Sequence, residues 1–277
     1  MLTRFSGVLA AVFLATSVQA QTPAPAASGS PSAAELARKA QNPVADMISV
    51  PFQLNWNFNT GPLDKGQQIL NIQPVIPFTL NDDWNLITRT ILPVISQPAF
   101  SSGQSRENGI GDINLTAFFS PKKPTESGWI WGAGPAVIMD TASDDRLGQG
   151  AWSVGPSAVF LKMPGDWVVG GLVSQVWSVS EDEGRPDVNQ MLIQPFINYN
   201  FPKHPGRYLT FSPVITANWE ASSSNTWTVP LGLGIGQIVK PGKVPLNLQI
   251  GAFYNVIRPD DASNWQIRAQ AVMLFPK

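Results

Sequence analysis

ISVPFQLNWNFN, residues 48–59, alternates apolar and polar side chains without a break. Ile48, Val50, Phe52, Leu54, Trp56 and Phe58 fall on one parity; Ser49, Pro51, Gln53, Asn55, Asn57 and Asn59 fall on the other. Successive side chains of a strand point to opposite faces, so this segment has one apolar face and one amide-rich face. The pattern returns near the other end of the chain. Leu246, Leu248, Ile250, Ala252 and Tyr254 oppose Asn247, Gln249, Gly251, Phe253 and Asn255. Trp265, Ile267, Ala269, Ala271, Met273 and Phe275 oppose Gln266, Arg268 and Gln270. Strands that are greasy on one side and amide-lined on the other suit a barrel with lipid outside and a polar lumen inside.

Working between these anchors predicts an all-β, closed antiparallel transmembrane β-barrel of twelve strands, spanning residues 48–277. The strands fall at 48–59, 68–80, 84–96, 110–120, 129–140, 151–161, 167–179, 189–200, 207–219, 226–238, 244–256 and 264–275. Twelve gives roughly 19 residues per strand and connection, of which a membrane strand takes about 9–11. An even number returns both chain ends to the periplasmic side. The connections alternate in character. NDD (81–83) is a short turn, and PKKPTESG (121–128), KMPGD (162–166), PKHPG (202–206) and KPGK (240–243) are turns rich in Lys and Pro. SSGQSREN (101–108), TASDDRLGQG (141–150), EDEGRPD (181–187) and RPDDAS (258–263) are more acidic and are expected outside.

The ten tryptophans sort by the same register. Trp84, Trp129, Trp131 and Trp167 lie where strands leave the periplasmic side, and Phe275 lies where the last one returns. Trp56, Trp177 and Trp219 come near the outer ends of rising strands; Trp152, Trp227 and Trp265 open descending ones. Amphipathic rings favour the headgroup zone, so two membrane-interface girdles are expected. A soluble sandwich would hold its indoles in mid-strand core positions instead.

Proline interrupts this picture. It lies inside strands in QPVIPF (73–78), ILPVI (91–95), VGPSAV (154–159), IQPFI (193–197) and FSPVI (211–215). Proline cannot donate to a ladder and a barrel has no edge to hide it, so bulges or local gaps are expected there.

Residues 1–20 read as a cleaved signal peptide, with Arg4 in the n-region, Val8–Ala15 as a short apolar run and Val18-Gln19-Ala20 before the cut. Residues 21–47 read as a flexible periplasmic leader. It carries a possible short helix over 33–42, with Ser32 as N-cap and Glu35 at the third helical position. A tether without a special role is favoured over a small plug.

Charged residues make up only 13% of the chain and the net charge is −1. No basic block exists to neutralise phosphates, which argues against nucleic-acid binding. There is no cysteine, so neither an acyl anchor nor a disulfide framework is available. Metal or cofactor binding is not expected, since His and Cys clusters are missing. Asp144, Asp145, Asp182, Glu183, Asp260 and Asp261 are read as a solvated loop surface rather than as cation bridges to lipopolysaccharide. The single histidine, His204, lies in the turn FPKHPGR with no serine or acid near it in sequence. It is read as a solvated turn residue, and the chain is expected not to be an enzyme. GIGDI (109–113) and LGLGIG (231–236) lack a following helix and are not phosphate loops; they are read as sites of curvature or lumen space.

The strings NPVADMISVPFQLNWNFNTGP, LNIQPVIPFTLNDDWNLITRTILPVISQP, GIGDINLTAFFSP and WSVGPSAVFL resemble a family of outer-membrane transporters. That family is related to the barrel proteins of the meta-cleavage pathway of phenol degradation, some relatives of which carry a neuromedin U label. The resemblance covers about residues 35–277. It implies a Gram-negative outer-membrane channel with no catalytic or ligand motif to transfer.

By parity the lumen and constriction candidates are Gln53, Asn55, Asn57, Gln73, Arg89, Asn247, Gln249 and Arg268. Amides exchange hydrogen bonds with water and polar solutes without strong charge selection. Arg89 and Arg268 either form a weakly anion-favouring constriction or pair with a carboxylate such as Asp112 or Glu220. The expected function is passive passage of small solutes, with small aromatic or hydrophobic compounds among the candidates. A non-conducting structural or surface-interaction barrel is the alternative. Expected partners are outer-membrane lipid and lipopolysaccharide, small solutes, and the barrel-assembly machinery through the C-terminal strand.

Overall fold

The computed structural model describes residues 31–276. The signal peptide and the leader up to residue 30 lie outside the described residues. From residue 47 onward all the described regular secondary structure is strand. The segments are β1 (Met47–Thr60), β2 (Lys65–Ile72), β3 (Val75–Thr79), β4 (Trp84–Gln97), β5 (Glu107–Ile110), β6 (Ile113–Pro121), β7 (Ile130–Met139), β8 (Ala151–Lys162), β9 (Trp167–Glu181), β10 (Asn189–Asn200), β11 (Arg207–Phe211), β12 (Ile215–Asn218), β13 (Trp227–Val239), β14 (Leu246–Ile257) and β15 (Trp265–Pro276). Every pairing is antiparallel, and β1 pairs with β15, which closes the sheet on itself. β2 and β3 both pair with β1 and β4, while β11 and β12 both pair with β10 and β13. β5 and β6 likewise run along β4. Each of these pairs is one interrupted strand, so the barrel is a twelve-stranded meander.

Three strands read as continuous, 68–80, 110–120 and 207–219, are therefore broken, and the first two begin earlier, at Lys65 and Glu107. The breaks fall at residues 73–74, 111–112 and 212–214. Their cause is the missing donor of proline, read across neighbouring strands. Pro74 sits in the first break, next to Gln73, which lies opposite Pro51 of β1 and donates its N–H to the Pro51 carbonyl at 2.9 Å. Pro213 sits in the third break, opposite Gln194–Phe196 around Pro195. Pro93 faces the second break, where its carbonyl accepts the Gly111 N–H at 2.9 Å. At Gly155–Pro156 the β8–β9 ladder lapses between Val154↔Trp177 and Ser157↔Ser174 without a change of register. The ladder thus lapses at all five proline motifs. A lapse shared by two prolines leaves fewer orphan carbonyls than two separate ones.

The faces separate as the alternation dictates. Leu231, Leu233, Ile235, Leu248 and Ile250 are exposed on the outside. Asn55, Asn57, Asn85, Asn198, Asn247 and Arg268 are buried on the inside. A water-soluble sheet would show the reverse preference.

Both described chain termini lie at one end of the barrel, here the terminal end; the opposite end is the distal end. Helix α1 (Ala33–Ala40) docks at the terminal end. Ser32 Oγ caps it by accepting the Glu35 N–H at 3.1 Å, and Glu35 pairs with Lys39 one turn on at 3.0 Å. Leu36 and Ala37 are fully buried against Met47, Tyr208, Ile238, Val272 and Leu274. Arg38 donates to the carbonyls of Met163 (2.9 Å) and Gly165, which ties the helix to the β8–β9 turn. Gln41 and Asn200 exchange reciprocal amide bonds of 2.9 and 3.1 Å. Val44 then packs on the opposite wall with Ile87, Phe118, Leu161 and Val168. Residues 31–46 therefore cross the terminal mouth. The tether reading is corrected: the short helix has an apolar stripe, and that stripe is buried inside the barrel rim as a plug.

Candidate functional site in the barrel lumen

Two interior cavities lie in tandem behind the plug. The one nearer the terminal end has a volume of about 180 Å³ and is floored by Lys39–Pro43 of the plug. Its walls include Gln53, Gln73, Arg89, Asn247, Gln249 and Arg268. The other has a volume of about 440 Å³ and a mixed lining of Asn114, Thr116, Gln190 and Thr228 with Ile91, Ile138, Val176 and Met191. Arg89 and Leu172 line both, so they stand at the junction. A third space of about 430 Å³ lies beside Asp112, Arg146 and Gln149.

The lumen amides bond mostly to one another. Arg268 Nη2 donates to Gln266 Oε1 at 3.0 Å, and Gln266 Nε2 donates to Asn57 Oδ1 at 3.0 Å. Asn57 Nδ2 donates to Gln67 Oε1 at 2.7 Å, and Gln67 Nε2 donates to Gln97 Oε1 at 2.5 Å. This relay runs in one sense across β15, β1, β2 and β4, starting from a cation. Each donor polarises the next, which strengthens the chain. Gln53 Nε2 donates to Asn55 Oδ1 at 3.3 Å.

The two arginines are held differently. Arg268 is 4% exposed; it also donates Nη1 to the Ser212 carbonyl at 3.0 Å and lies 4.5 Å from the Phe253 ring. Its Nε is buried without an acceptor. Among the described residues Arg89 donates a single hydrogen bond, from Nη2 to Gln73 Oε1 at 2.7 Å. Neither guanidinium meets a carboxylate within ion-pair distance among the described residues. Asp112 is committed elsewhere: it accepts backbone N–H bonds from Thr141 and Ala142 (3.2 Å each) and Gln149 (2.6 Å). Glu220 is exposed in the turn after β12.

Tyr208 is a lumen residue that parity reasoning passed over. It is 1% exposed, and its hydroxyl donates to Asn247 Oδ1 at 2.9 Å and lies 3.3 Å from Gln249 Oε1. Its ring occupies the space over Gly236, where a Cβ would come within 2.1 Å of Tyr208 Cζ. The signal was in the sequence: LGLGIG alternates large outward residues with glycines, so a bulky neighbour had to fill the inside.

The distal end carries the acidic loops. Loop 140–150 folds inward, with Leu147 buried and Gln149 Nε2 donating to Gln190 Oε1 at 3.0 Å. Arg146 pairs with Asp144 (3.2 Å) and Glu107, and Arg185 pairs with Asp145 (3.3 Å). The backbone N–H of Arg146 holds Asp144 below the usual carboxylate range. Asp140 is pushed up, first by desolvation and then by Asp182 and Asp112. Among the described residues no group of three or more His, Cys, Asp or Glu is placed to hold a metal ion. His204 is exposed in the turn between β10 and β11.

The tryptophans are placed toward the two rims, on the outer face. At the terminal end Trp84 meets Trp131 edge-on at 5.8 Å, Trp129 meets Phe160 at 6.2 Å and Trp167 meets Tyr199 at 4.8 Å. Phe275 is exposed at the same end, near the end of β15. At the distal end Trp219 meets Trp227 at 5.4 Å and Tyr254 meets Trp265 at 4.8 Å. Trp152 and Trp177 are exposed near that rim, and Trp56 faces outward by register in the distal part of β1. Trp219 Nε1 donates to Gln175 Oε1 at 3.2 Å, so an outward amide is satisfied within the rim.

A closed barrel with an apolar outer belt, aromatic rims, an amide-lined interior and a docked N-terminal plug defines the class: a transmembrane β-barrel of the outer-membrane type. No family model and no curated protein matches the sequence. Among solved structures, the chain is similar to the COG4313 outer membrane channel from Pseudomonas putida F1. The two share 18% identity at a TM-score of 0.62, over 83% of this chain and 94% of that one. It is also similar, more distantly, to outer membrane phospholipase A from Escherichia coli, with 16% identity and a TM-score of 0.47 over 89% and 99% of the two chains. The CymD monoaromatic hydrocarbon channel follows with 8% identity and a TM-score of 0.43 over 88% and 91%. At such identities the likeness concerns the fold. The expectation that the chain is not an enzyme is corrected accordingly: the structures it resembles include an enzyme, phospholipase A. The lack of a sequence family match leaves the meta-cleavage and neuromedin U associations without support from these comparisons.

Proposed function

We propose that this protein is an outer-membrane channel for small solutes, with small aromatic or hydrophobic compounds as the favoured cargo. The observation that carries the reading is the pair of cavities in series along the lumen, joined at Arg89 and Leu172 and stopped at one end by residues 31–46. The half-apolar wall of the larger cavity suits a solute with a greasy body. The likeness to a solved outer membrane channel over most of both chains supports it. In this reading the terminal end is periplasmic, residues 1–20 are removed on export, and the acidic loops face outward to lipopolysaccharide. The last strand, ending in Phe275, is the segment offered to the assembly machinery.

Planar-bilayer conductance of the full chain tests this. Discrete current steps are expected, larger and more frequent in Leu36→Asp, because a charge at that fully buried position undocks the plug. Silence from both proteins at every voltage, with no swelling of solute-loaded proteoliposomes, would overturn the channel reading. The plugged mouth and inward loop 140–150 are what favour the alternative, a non-conducting barrel whose loops do the binding. That silence is the result it requires.

A further inference from the structure

We propose that the lumen binds a small amphiphilic monocarboxylate, with its carboxylate on Arg89 and its apolar body in the larger cavity. The inference rests on the reading of the lumen as a passage and names the chemical class that passage recognises. Its first support is a charge imbalance. Among the described residues the charged side chains lining the two cavities are Lys39, Arg89 and Arg268, and no Asp or Glu joins them. Lys39 is already paired with Glu35. The two arginines remain without a carboxylate inside the lumen, where Arg268 is 4% exposed and Arg89 is partly buried. An uncompensated charge is costly there, and an anion from outside relieves that cost.

The second support is placement. Arg89 stands at the junction of the cavities and, among the described residues, commits only one of its five N–H groups, to Gln73. A guanidinium with free, coplanar donors matches the two oxygens of a carboxylate. Arg268 is spent on Gln266, Ser212 and Phe253, so it adds field rather than contact; its buried, unpartnered Nε marks the same deficit of acceptors. The third support is the shape of the remainder. From Arg89 the larger cavity continues between Ile91, Leu172, Val176 and Met191, with about 440 Å³ of space. That is within the roughly 300–1,000 Å³ of small-molecule sites. An inorganic anion would use the charge and leave this wall idle.

The test measures equilibrium binding of labelled benzoate, benzamide, benzylamine and acetate to the full chain in uncharged detergent, beside conductance in bilayers. Benzoate is expected to bind about tenfold or more tightly than benzamide, the scale of a charge-assisted hydrogen bond. Acetate and benzylamine should bind more weakly still. Arg89→Gln should erase the preference for benzoate over benzamide. Arg89→Lys, which keeps charge but loses the fork, should retain part of it. Both variants are first shown to keep the heat-modifiable gel mobility of the folded barrel. Equal binding of benzoate and benzamide, an unchanged ratio in Arg89→Gln, or acetate matching benzoate would each overturn the proposal. Conductance without carboxylate preference removes the site and leaves the channel. Carboxylate preference without conductance removes the passage and leaves the site.

Discussion

At the level of single residues, the lumen is filled by exchange of volume between neighbours. Gly236 gives up a side chain so that Tyr208 can lie across it and reach Asn247. Gly236→Ala forces a methyl into a buried ring, and overpacking of this kind costs about 1–3 kcal/mol. Urea titration of folding into lipid vesicles should register that loss. The same change in a Tyr208→Ala background should cost much less, since the obstruction is gone. Gly242→Ala, where a Cβ meets nothing within 4 Å, serves as the neutral control. Asp140 gives a pH signature. Its pKa is raised by desolvation and by Asp182 and Asp112. A carboxyl that binds its proton more tightly when folded opposes folding once ionised, and that penalty fades as pH falls through the raised value. Asp140→Asn should therefore raise the urea midpoint at neutral pH and lose its advantage below about pH 4. Because Asp140 is only partly buried, solvent screening should keep the shift small. An equal gain at both pH values would mean that charge is not the cause. Parity alone placed Asn55, Asn57, Asn247 and Arg268 on the interior, because period two fixes a face. It did not say which partner each would choose: Asp112 was a candidate for the arginines and is instead consumed by three backbone N–H groups of loop 140–150.

At the level of elements, the strands were legible and the plug was not. A strand announces its two faces by alternation, and the prolines announced the lapses, since a missing N–H is a covalent fact. What remained hidden is that lapses are shared: Pro51 with Pro74, and Pro195 with Pro213, lie on neighbouring strands. A one-strand reading cannot see that coincidence. Helix α1 is the opposite case. Its cap and its apolar pair were readable, but a helix of two turns carries no address, and its place in the mouth depends on Met163, Gly165 and Asn200, distant in sequence. Ser32→Ala should weaken the docked helix by about 1 kcal/mol through loss of the cap. Gln41→Ala should remove the reciprocal amide bond to Asn200. Limited proteolysis of the folded protein should cut between residues 31 and 46 faster in both variants, with the barrel itself left resistant. Unchanged cleavage in both would mean that neither contact holds the segment.

At the level of the whole molecule, one physical arrangement decides everything else: apolar side chains cover the outside because the outside is lipid. Leu233 is 54% exposed in mid-strand β13, and Val256 is 48% exposed near the distal end of β14. On a protein folded in water, a surface Leu→Arg change is nearly neutral, within about 0.5 kcal/mol. In a bilayer the cost depends on depth, at about 2–4 kcal/mol near the midplane and about 0–1 kcal/mol near the interface. Leu233→Arg should therefore destabilise the barrel strongly in vesicles, and Val256→Arg only slightly. The tryptophan rims supply an independent ruler for the same depth. Quenching of indole fluorescence by lipids brominated at graded depths should be weakest for bromines at the bilayer centre, because all ten indoles sit toward the strand ends. The two measurements constrain one another. If Leu233→Arg proved as mild as Val256→Arg while the indoles were quenched from the centre, the belt and the rims would both be misplaced, and the amide-lined interior would lose its reason to be an interior.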